Sequence, residues 1–267
     1  MEFQFKWRSS VLNYRVYGSG NQAVLAFHGF DQNSTAFRFM EEDFGLTHRI
    51  ISIDLPHQGK TIWNEPELNP NDLVLLIQDF KKSLEIQSTI LLGYSLGANY
   101  TLGLVCADPA SVQELWLVAG DGLSFRPLFR FVTGTVIGRY LFKGFVRFPG
   151  WVRFVLNLGS VTRILPERTA RFFLSTIDSQ PKRALLMQRW ISAGRISPSP
   201  STIIQTLNNH SIHCRMVYGE HDSLIPVRFA RKFARKLNHV DLQLVPEGHM
   251  LLKSRYFKSF LTQPSLP

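Results

Sequence analysis

The residues LLGYSLGANY, at positions 91–100, contain the pattern Gly-x-Ser-x-Gly, with Ser95 between Gly93 and Gly97. The strand-like run STILL precedes the pattern, and a helix-like run rich in small residues, LGANYTLGLVCA, follows it. A tight strand–turn–helix connection of this kind exposes a serine at the end of a strand. Side chains larger than glycine on either flank would collide with the adjoining strand and helix. The stretch therefore indicates an α/β fold and makes Ser95 a candidate nucleophile, with an ordinary turn serine as the alternative.

Two later stretches contain the groups that a serine nucleophile needs. A serine hydroxyl attacks weakly near neutral pH, so it requires a base within hydrogen-bond reach and a third group that orients this base. GEHDSLIP (219–226) and PEGHMLL (246–252) each follow a strand-like run and contain Asp222 and His249. Asp121, in VAGDGL, also follows a strand-like run and is the alternative acid. Open α/β sheets bind ligands at such strand ends, so we expect these side chains to gather there.

Short apolar runs alternate with longer helix-like segments, which is typical of βαβ units. The predicted strands are residues 23–28, 49–54, 88–94, 113–119, 213–218 and 241–245. The predicted helices are residues 34–44, 71–85, 96–107, 226–237 and 250–261. Near the start, FQFKW and LNYRVYG predict an antiparallel pair at one edge. The predicted fold class is α/β, with a doubly wound, mostly parallel sheet.

Residues 123–211 interrupt this alternation. They contain 13 Lys and Arg against 2 Asp and Glu, a net charge of +11, whereas the rest of the chain contains 17 against 18, a net charge of −1. We interpret the segment as an inserted helical domain, with residues 1–122 and 212–267 forming the core domain. SPSPS (197–201) predicts a turn that closes the insertion.

The chain resembles the α/β-hydrolase family. The order Ser95, Asp222, His249 is the order of that family's triad, GEHDSLIP resembles its G-x-x-D-x-x-x-P acid loop, and PEGH resembles its histidine turn. The resemblance implies Ser95 as nucleophile, His249 as general base and then acid, and Asp222 as the group that holds the imidazole. It also implies a sheet of the α/β-hydrolase type and, by analogy, a helical cap formed by residues 123–211.

Two more stretches resemble loops of the family. LAFHGF (25–30) resembles the strand followed by H-G-x, which implies an oxyanion hole formed by the backbone N–H groups of Phe30 and Leu96. IDLPHQGKT resembles the D-L-P-G-H-G-x-S loop, but His57 and Gln58 occupy the G-H positions. The geometry of this second loop is therefore not carried over from the family.

Three side chains near these loops are candidates for a substrate pocket: His28, His57 and Tyr94. We expect His28 to support the structure of its loop more than to transfer protons. A packing role is the alternative for Tyr94, and a structural role is the alternative for His57. Asp54 is expected to brace its loop.

The predicted function is a serine hydrolase of the carboxylesterase type, which cleaves an ester or related acyl compound through an acyl-enzyme. One alternative keeps the fold but changes the reaction: a carbon–carbon bond hydrolase, or a lyase like the menaquinone-pathway succinyl-cyclohexadiene carboxylate synthase. A second alternative is a non-catalytic ligand-binding protein. Epoxide hydrolase and haloalkane dehalogenase chemistry is disfavoured, because Ser95 stands where those enzymes need a carboxylate.

The cysteines, the charged residues and the apolar runs limit the cofactors, partners and cellular compartment that we expect. Cys106 and Cys214 lie in apolar segments, which is typical of buried thiols in a reducing compartment. We predict a cytoplasmic protein with no export signal, no metal site and no cofactor. No nucleic-acid-binding motif accompanies the basic residues, so no nucleic acid partner is expected. The longest apolar runs stay below the roughly 18 residues that a membrane span needs.

The inserted segment has a helical pattern of its own. Cations recur every four residues on one predicted face and phenylalanines line another: Arg139, Lys143 and Arg147, then Phe142, Phe145 and Phe148. Like charges at this spacing weaken an isolated helix, so solvation or an anionic partner must compensate. The expected anionic partners are a small acyl substrate, anionic or lipid-like, or a membrane surface contacted peripherally. A solvated basic face is the alternative, and no oligomeric state is predicted.

Overall fold

The fold is described from a computed structural model. It describes residues 1–124, 127–150, 154 and 174–253. The chain divides into two compact units, which are described separately. Unit 1 comprises Met1–Phe125 and Ile196–Pro267, and unit 2 comprises Arg126–Arg195.

Unit 1 contains an eight-stranded sheet in the order β1-β2-β4-β3-β5-β6-β7-β8. The strands are β1 Glu2–Trp7, β2 Ser10–Tyr17, β3 Gln22–Phe27, β4 His48–Ile53, β5 Thr89–Tyr94, β6 Val112–Val118, β7 His213–Gly219 and β8 Val240–Val245. β2 pairs antiparallel with β1 and β4, and all other neighbours are parallel. The predicted fold class, including the antiparallel pair at one edge, is confirmed.

Continuous burial explains why the central strands read as unbroken apolar runs. Every residue of β5 is buried, as expected for a parallel strand that is covered on both faces. Neighbouring strands contribute Val24, Ile50, Val118 and Val217 to the same core, each with no exposed surface. A sheet packed in this way fixes the positions at which its strands end, and the loops beyond β3, β5, β7 and β8 contain most of the predicted site residues.

Helices accompany the sheet of unit 1: α1 Met40–Phe44, α2 Pro70–Ser83, α3 Gly97–Ala107, α7 Pro200–Asn209 and α8 Val227–Ala234. α2 begins where the Asn69 side chain accepts a hydrogen bond from the Asp72 N–H and Pro70 occupies the first turn. The helix predicted over 34–44 is instead a 3-10 turn, Ser34–Phe37, followed by α1. α8 is shorter than predicted, and Pro226 is its N-cap. Of the helix predicted over 250–261, only the 3-10 turn Leu251–Lys253 lies within the described residues.

Unit 2 contains α4 Pro127–Gly134, α5 Val136–Arg147 and most of α6 Gln180–Ile196. Phe142 stacks on Phe145 and contacts Trp190, so these rings form an apolar contact between α5 and α6. The buried Arg183 of α6 donates hydrogen bonds to the Val146 and Ile177 carbonyls. Backbone carbonyls thus satisfy a buried guanidinium inside a small helical unit.

The limits of unit 2 differ from those predicted for the insertion. The compact unit is 126–195, whereas the sequence pattern suggested 123–211. The difference arises because SPSPS, expected to be a turn, contains the start of α7: Ser199 accepts a hydrogen bond from the Thr202 N–H, and Pro200 begins the helix. α7 packs against α3, which belongs to unit 1. Residues 125–126, 151–153 and 155–173 of the predicted cap lie outside the described residues.

Across the described ranges of the chain, no helix is both long enough and apolar enough to span a membrane.

Candidate active site

Ser95 occupies a strained turn between β5 and α3. Its φ of 50° lies in the left-handed region, which a serine rarely adopts and which is found where surrounding structure enforces it. A Cβ atom at Gly97 would lie 2.0 Å from the Phe27 carbonyl oxygen, and one at Gly93 would lie 2.6 Å from the Cα of Ala98. The two glycines therefore allow strand and helix to approach closely enough to form this turn.

The structure brings His249 and Asp222 to Ser95. The His249 Nε2 atom lies 2.8 Å from the Ser95 Oγ, and its Nδ1 atom lies 2.7 Å from the Asp222 Oδ2. A carboxylate only accepts hydrogen bonds, so Nδ1 carries the ring proton and Nε2 is left to accept the serine hydroxyl. Three side chains from distant parts of the sequence thus form one directed chain of hydrogen bonds.

Backbone groups hold the Asp222 carboxylate. Its Oδ1 atom accepts hydrogen bonds from the N–H groups of Leu224, at 2.8 Å, and Ile225, at 2.9 Å. The side chain has no exposed surface, and the side chain of His249 is 15% exposed. The loop after β7 therefore fixes one carboxylate oxygen locally and presents the other to the imidazole.

Asp121, the alternative acid, has a different place in the structure. Its backbone N–H donates to the Ser95 carbonyl, and its Oδ1 accepts from the N–H of Gly122. The Ser95 N–H in turn donates to the carbonyl of Val118, the last residue of β6. Asp121 thus supports the backbone of the serine turn, and the carboxylate on His249 Nδ1 is that of Asp222.

Leu96 and the loop that follows β3 contain the two predicted oxyanion donors. Leu96 is the N-cap of α3, and the first N–H groups of a helix have no partner within it. Next to Phe30, the Gly29 N–H donates to the Gln32 side chain at 3.0 Å, and the Asp31 N–H donates to the Gln58 side chain at 2.8 Å. The oxyanion role of Phe30 and Leu96 stays a prediction.

His28 has no exposed surface, and both of its ring nitrogens contact the backbone. Its Nε2 accepts a hydrogen bond from the Leu55 N–H, so Nδ1 carries the proton and donates to the Gly29 carbonyl. This arrangement joins the loop after β3 to the loop after β4. In the structure His28 therefore braces a loop and does not line an open pocket.

Tyr94 is 2% exposed and supports the histidine loop. Its hydroxyl donates to the His249 carbonyl at 3.0 Å, and its ring lies 5.6 Å from the imidazole, measured between centroids. Burial, together with the negative charge of Asp222, raises the pKa of Tyr94 above its ordinary value, which keeps the hydroxyl protonated as a donor. Of the two roles expected from the sequence, the contacts of Tyr94 match packing.

The loop after β4 differs from the family pattern as the sequence indicated. His57 stands at the position of the family's glycine and adopts a φ of 62°, and it is partly exposed, so it stays a candidate for contact with substrate. Asp54 accepts hydrogen bonds from Asn13 and from the Lys60 N–H, which is the bracing that its sequence position suggested. The side-chain contacts of Gln58 and Gln32 were missed. The only signal for Gln58 was the departure from the family motif, and nothing in the sequence pointed to Gln32.

Within the ranges that the structure describes, no group of three or more His, Cys, Asp or Glu side chains could hold a metal ion. Cys106 and Cys214 are free thiols, and Cys214 is buried. Burial raises the pKa of both thiols, which makes them poor nucleophiles.

A mostly parallel sheet with a strained serine turn after a central strand, and a carboxylate and a histidine after later strands, is the architecture of an α/β hydrolase. The sequence profile of the alpha/beta hydrolase family matches residues 23–258. The chain therefore belongs to the α/β-hydrolase family.

Similar proteins include hydrolases and esterases. An uncharacterized hydrolase, YugF, of Bacillus subtilis (strain 168) is 22% identical over 243 residues, which are 88% of this chain and 86% of the relative. The pimeloyl-(acyl-carrier protein) methyl ester esterase of Salmonella paratyphi A is 22% identical over 218 residues, 81% of this chain and 82% of the relative. The structure of a thermophilic esterase from Thermogutta terrifontis superposes with a TM-score of 0.69 at 16% identity, covering 98% of this chain and 96% of that chain. These comparisons support a hydrolase of this superfamily.

Proposed function

We propose that the chain is a serine hydrolase that cleaves an ester or related acyl compound through an acyl-enzyme intermediate. The observation that carries this proposal is the chain of hydrogen bonds from Ser95 through His249 to Asp222, with distances of 2.8 Å and 2.7 Å. A serine, a base and an orienting acid in this order are the groups needed to activate a hydroxyl for acyl transfer.

In the proposed reaction, the Ser95 Oγ attacks the carbonyl carbon of the substrate while its proton moves to the His249 Nε2. The tetrahedral intermediate collapses when His249 returns that proton to the leaving alkoxide, which departs as an alcohol. His249 next removes a proton from water, and the resulting hydroxide attacks the acyl group on Ser95. Collapse of the second intermediate releases the acid and restores the serine. Asp222 stabilises the imidazolium that forms in each half of the cycle.

The Phe30 and Leu96 N–H groups are proposed to stabilise the negative charge on the substrate oxygen. Removing one such donor typically lowers the rate by about 10²–10³-fold, so these groups supply a large part of the acceleration. The position of Leu96 at the N-cap of α3 favours this role, because the positive end of the helix dipole lies there.

An ester is the favoured substrate class among the reactions open to this site. One relative is a methyl ester esterase, and the superposed structure is that of an esterase. Both similarities are distant, so the identity of the acyl group is tested by experiment and not transferred from either protein.

A fluorophosphonate probe tests the proposal directly. The activated Ser95 hydroxyl is expected to displace fluoride and form one covalent adduct, which mass spectrometry would locate on the peptide containing Ser95. The heat-denatured protein is the control, since unfolding separates the serine from its base. A native protein that takes up no label would contradict the proposal and favour a non-catalytic ligand-binding protein.

A further inference from the structure

One face of α5 exposes large apolar side chains. Five exposed fractions lie between 56% and 76%: those of Val136, Ile137, Tyr140 and Leu141 within the helix, and that of Phe148 at its C-cap. The opposite face of the helix is buried through Gly138, Phe142 and Phe145, so the orientation of the helix in unit 2 is settled. Phe148, which the sequence grouped with the two buried phenylalanines, is exposed and follows the last residue of the helix.

This exposed face carries positive charge along one edge. Lys143 and Arg147 are exposed and lie beside Tyr140 on the helix surface, and the Arg147 guanidinium lies 5.9 Å from the centroid of the Phe148 ring. The sequence from 122 to 166 contains seven Lys and Arg and no Asp or Glu. Single exposed apolar residues are ordinary, whereas a contiguous patch with a basic edge indicates a binding surface.

We propose that this face of α5 binds the headgroup region of an anionic membrane. An interfacial helix lies in the plane of the membrane, with apolar side chains below the headgroups and Lys and Arg at their level. On α5, the exposed apolar residues suit the region below the headgroups, and the adjacent basic residues suit the headgroup level. Anionic headgroups also supply charge opposite to that of the basic edge, so we expect added salt to weaken this attraction. The proposal is independent of the chemistry at Ser95.

Sedimentation with lipid vesicles tests this surface. The 267-residue chain is expected to sediment with vesicles that contain phosphatidylglycerol and to remain in solution with vesicles of phosphatidylcholine alone. The double variant Ile137→Ser, Leu141→Ser removes buried CH₂ groups from the contact, so we expect its partition coefficient to fall at least about tenfold. Leu46→Ser is the matched control, because Leu46 is 95% exposed and belongs to unit 1.

Three results would overturn this proposal. The first is equal sedimentation with both kinds of vesicle, and the second is binding that the double variant leaves unchanged. The third is a dimer, detected by light scattering, that the same double variant dissociates, since this result would assign the face to a second copy of the chain. All substitutions are at exposed positions, and circular dichroism would verify that the fold is retained.

A separate observation concerns the loop that contains Phe30. The N–H groups on either side of this residue, those of Gly29 and Asp31, each donate to a glutamine side chain. Asp31 has a φ of 58°, a conformation that a non-glycine residue keeps only when its surroundings hold it. The Gln58 side-chain Oε1, which accepts a hydrogen bond from the Asp31 N–H at 2.8 Å, supplies such a contact.

Gln58 is buried, and its backbone is hydrogen-bonded within the loop after β4. It is 3% exposed, and its backbone N–H donates to the carbonyl of Leu55, whose own N–H donates to His28. The side chain therefore connects the loop after β4 to the loop after β3. We infer that Gln58 is a positioning residue, which sets the direction of the Phe30 N–H through its hydrogen bond to Asp31. This inference rests on the proposed hydrolase function.

The variant Gln58→Met removes the acceptor and keeps the length of the side chain. We expect kcat for a p-nitrophenyl ester to fall about 10- to 100-fold, because an oxyanion donor is displaced, while KM changes little. Gln58→Glu retains an oxygen acceptor and is expected to recover part of the loss. Gln78→Met, at an exposed position of α2, is the control for the chemical change.

Two outcomes separate this inference from the proposed function. If the wild-type protein neither hydrolyses esters nor takes up the fluorophosphonate label, the proposed function itself fails. If the wild-type protein is active but a folded Gln58→Met variant keeps its kcat, only the positioning role of Gln58 is wrong. A loss of the same size in Gln58→Met and Gln58→Glu would also contradict it, since the acceptor would then be irrelevant.

Discussion

Turnover of p-nitrophenyl esters is expected to fall by about 10⁶-fold when Ser95 is replaced by alanine. The variant loses the atom that forms the acyl-enzyme, so His249 has no serine hydroxyl to deprotonate and the proposed route is closed. The small activity that remains would come from substrate binding and oxyanion stabilisation alone. Initial rates over a range of enzyme concentrations would measure the activity of the wild-type protein and the residual activity of the variant.

The fold is expected to withstand this substitution. Alanine removes one oxygen and fits wherever serine fits, although the left-handed φ of 50° remains. Circular dichroism and thermal unfolding should therefore match the wild-type protein. Ser111→Ala, which removes a hydroxyl hydrogen-bonded to the Asp108 carbonyl, is the matched control and should keep full activity. Undiminished turnover by the Ser95 variant would exclude this residue as the nucleophile.

The second large effect is expected from Asp222→Asn, with a fall in kcat of about 10⁴-fold. The amide would present an N–H group to the His249 Nδ1, which would shift the ring proton to Nε2. The base would then face Ser95 with a proton already in place. Because asparagine has almost the same shape as aspartate, binding of substrate should change far less than kcat.

Asp121→Asn tests the alternative acid by the same substitution, aspartate to asparagine. The Asp121 side chain accepts a hydrogen bond from the Gly122 N–H, and an amide oxygen can accept the same bond. The variant is therefore expected to keep kcat close to that of the wild-type protein. A large loss in this variant, with a small one in Asp222→Asn, would reverse the assignment of the acid.

The sequence was sufficient to predict the sheet and the strand ends on which the candidate site is built. Parallel strands in an α/β fold are buried on both faces, so each appears as an apolar run bounded by loops. Ser95, Asp222 and His249 each follow such a run, and parallel strands direct their carboxyl ends to one edge. Proximity of these residues therefore follows from topology, without any knowledge of side-chain packing.

Contacts between loops could not be predicted in this way. The hydrogen bonds from Tyr94 to the His249 carbonyl and from Asp31 to Gln58 join residues whose spacing follows no period. The sequence assigned Asp121 and Asp222 equivalent positions after strands, and only the direction of each side chain distinguishes them. Such directions depend on the course of individual loops, which local sequence patterns do not determine.

The compact helical unit is shorter than the predicted insertion for a local reason. Proline and serine favour turns, but the same residues begin helices, and in SPSPS the N-cap preference of Ser199 prevailed. The sequence also did not predict which face of α5 is exposed, because phenylalanines at similar spacing occupy both buried and exposed positions. Helical periodicity indicates which residues share a face, but does not indicate which face a small helical unit leaves open.

The division of the chain has a consequence for how such a protein diversifies. All residues of the hydrogen-bonded chain from Ser95 to Asp222 belong to unit 1. Unit 2 is a single segment of sequence between β6 and α7. Mutations, insertions or replacement of residues 126–195 do not change these donors and acceptors, because they lie outside that range. The helical unit can therefore be exchanged without altering any side chain of that hydrogen-bonded chain.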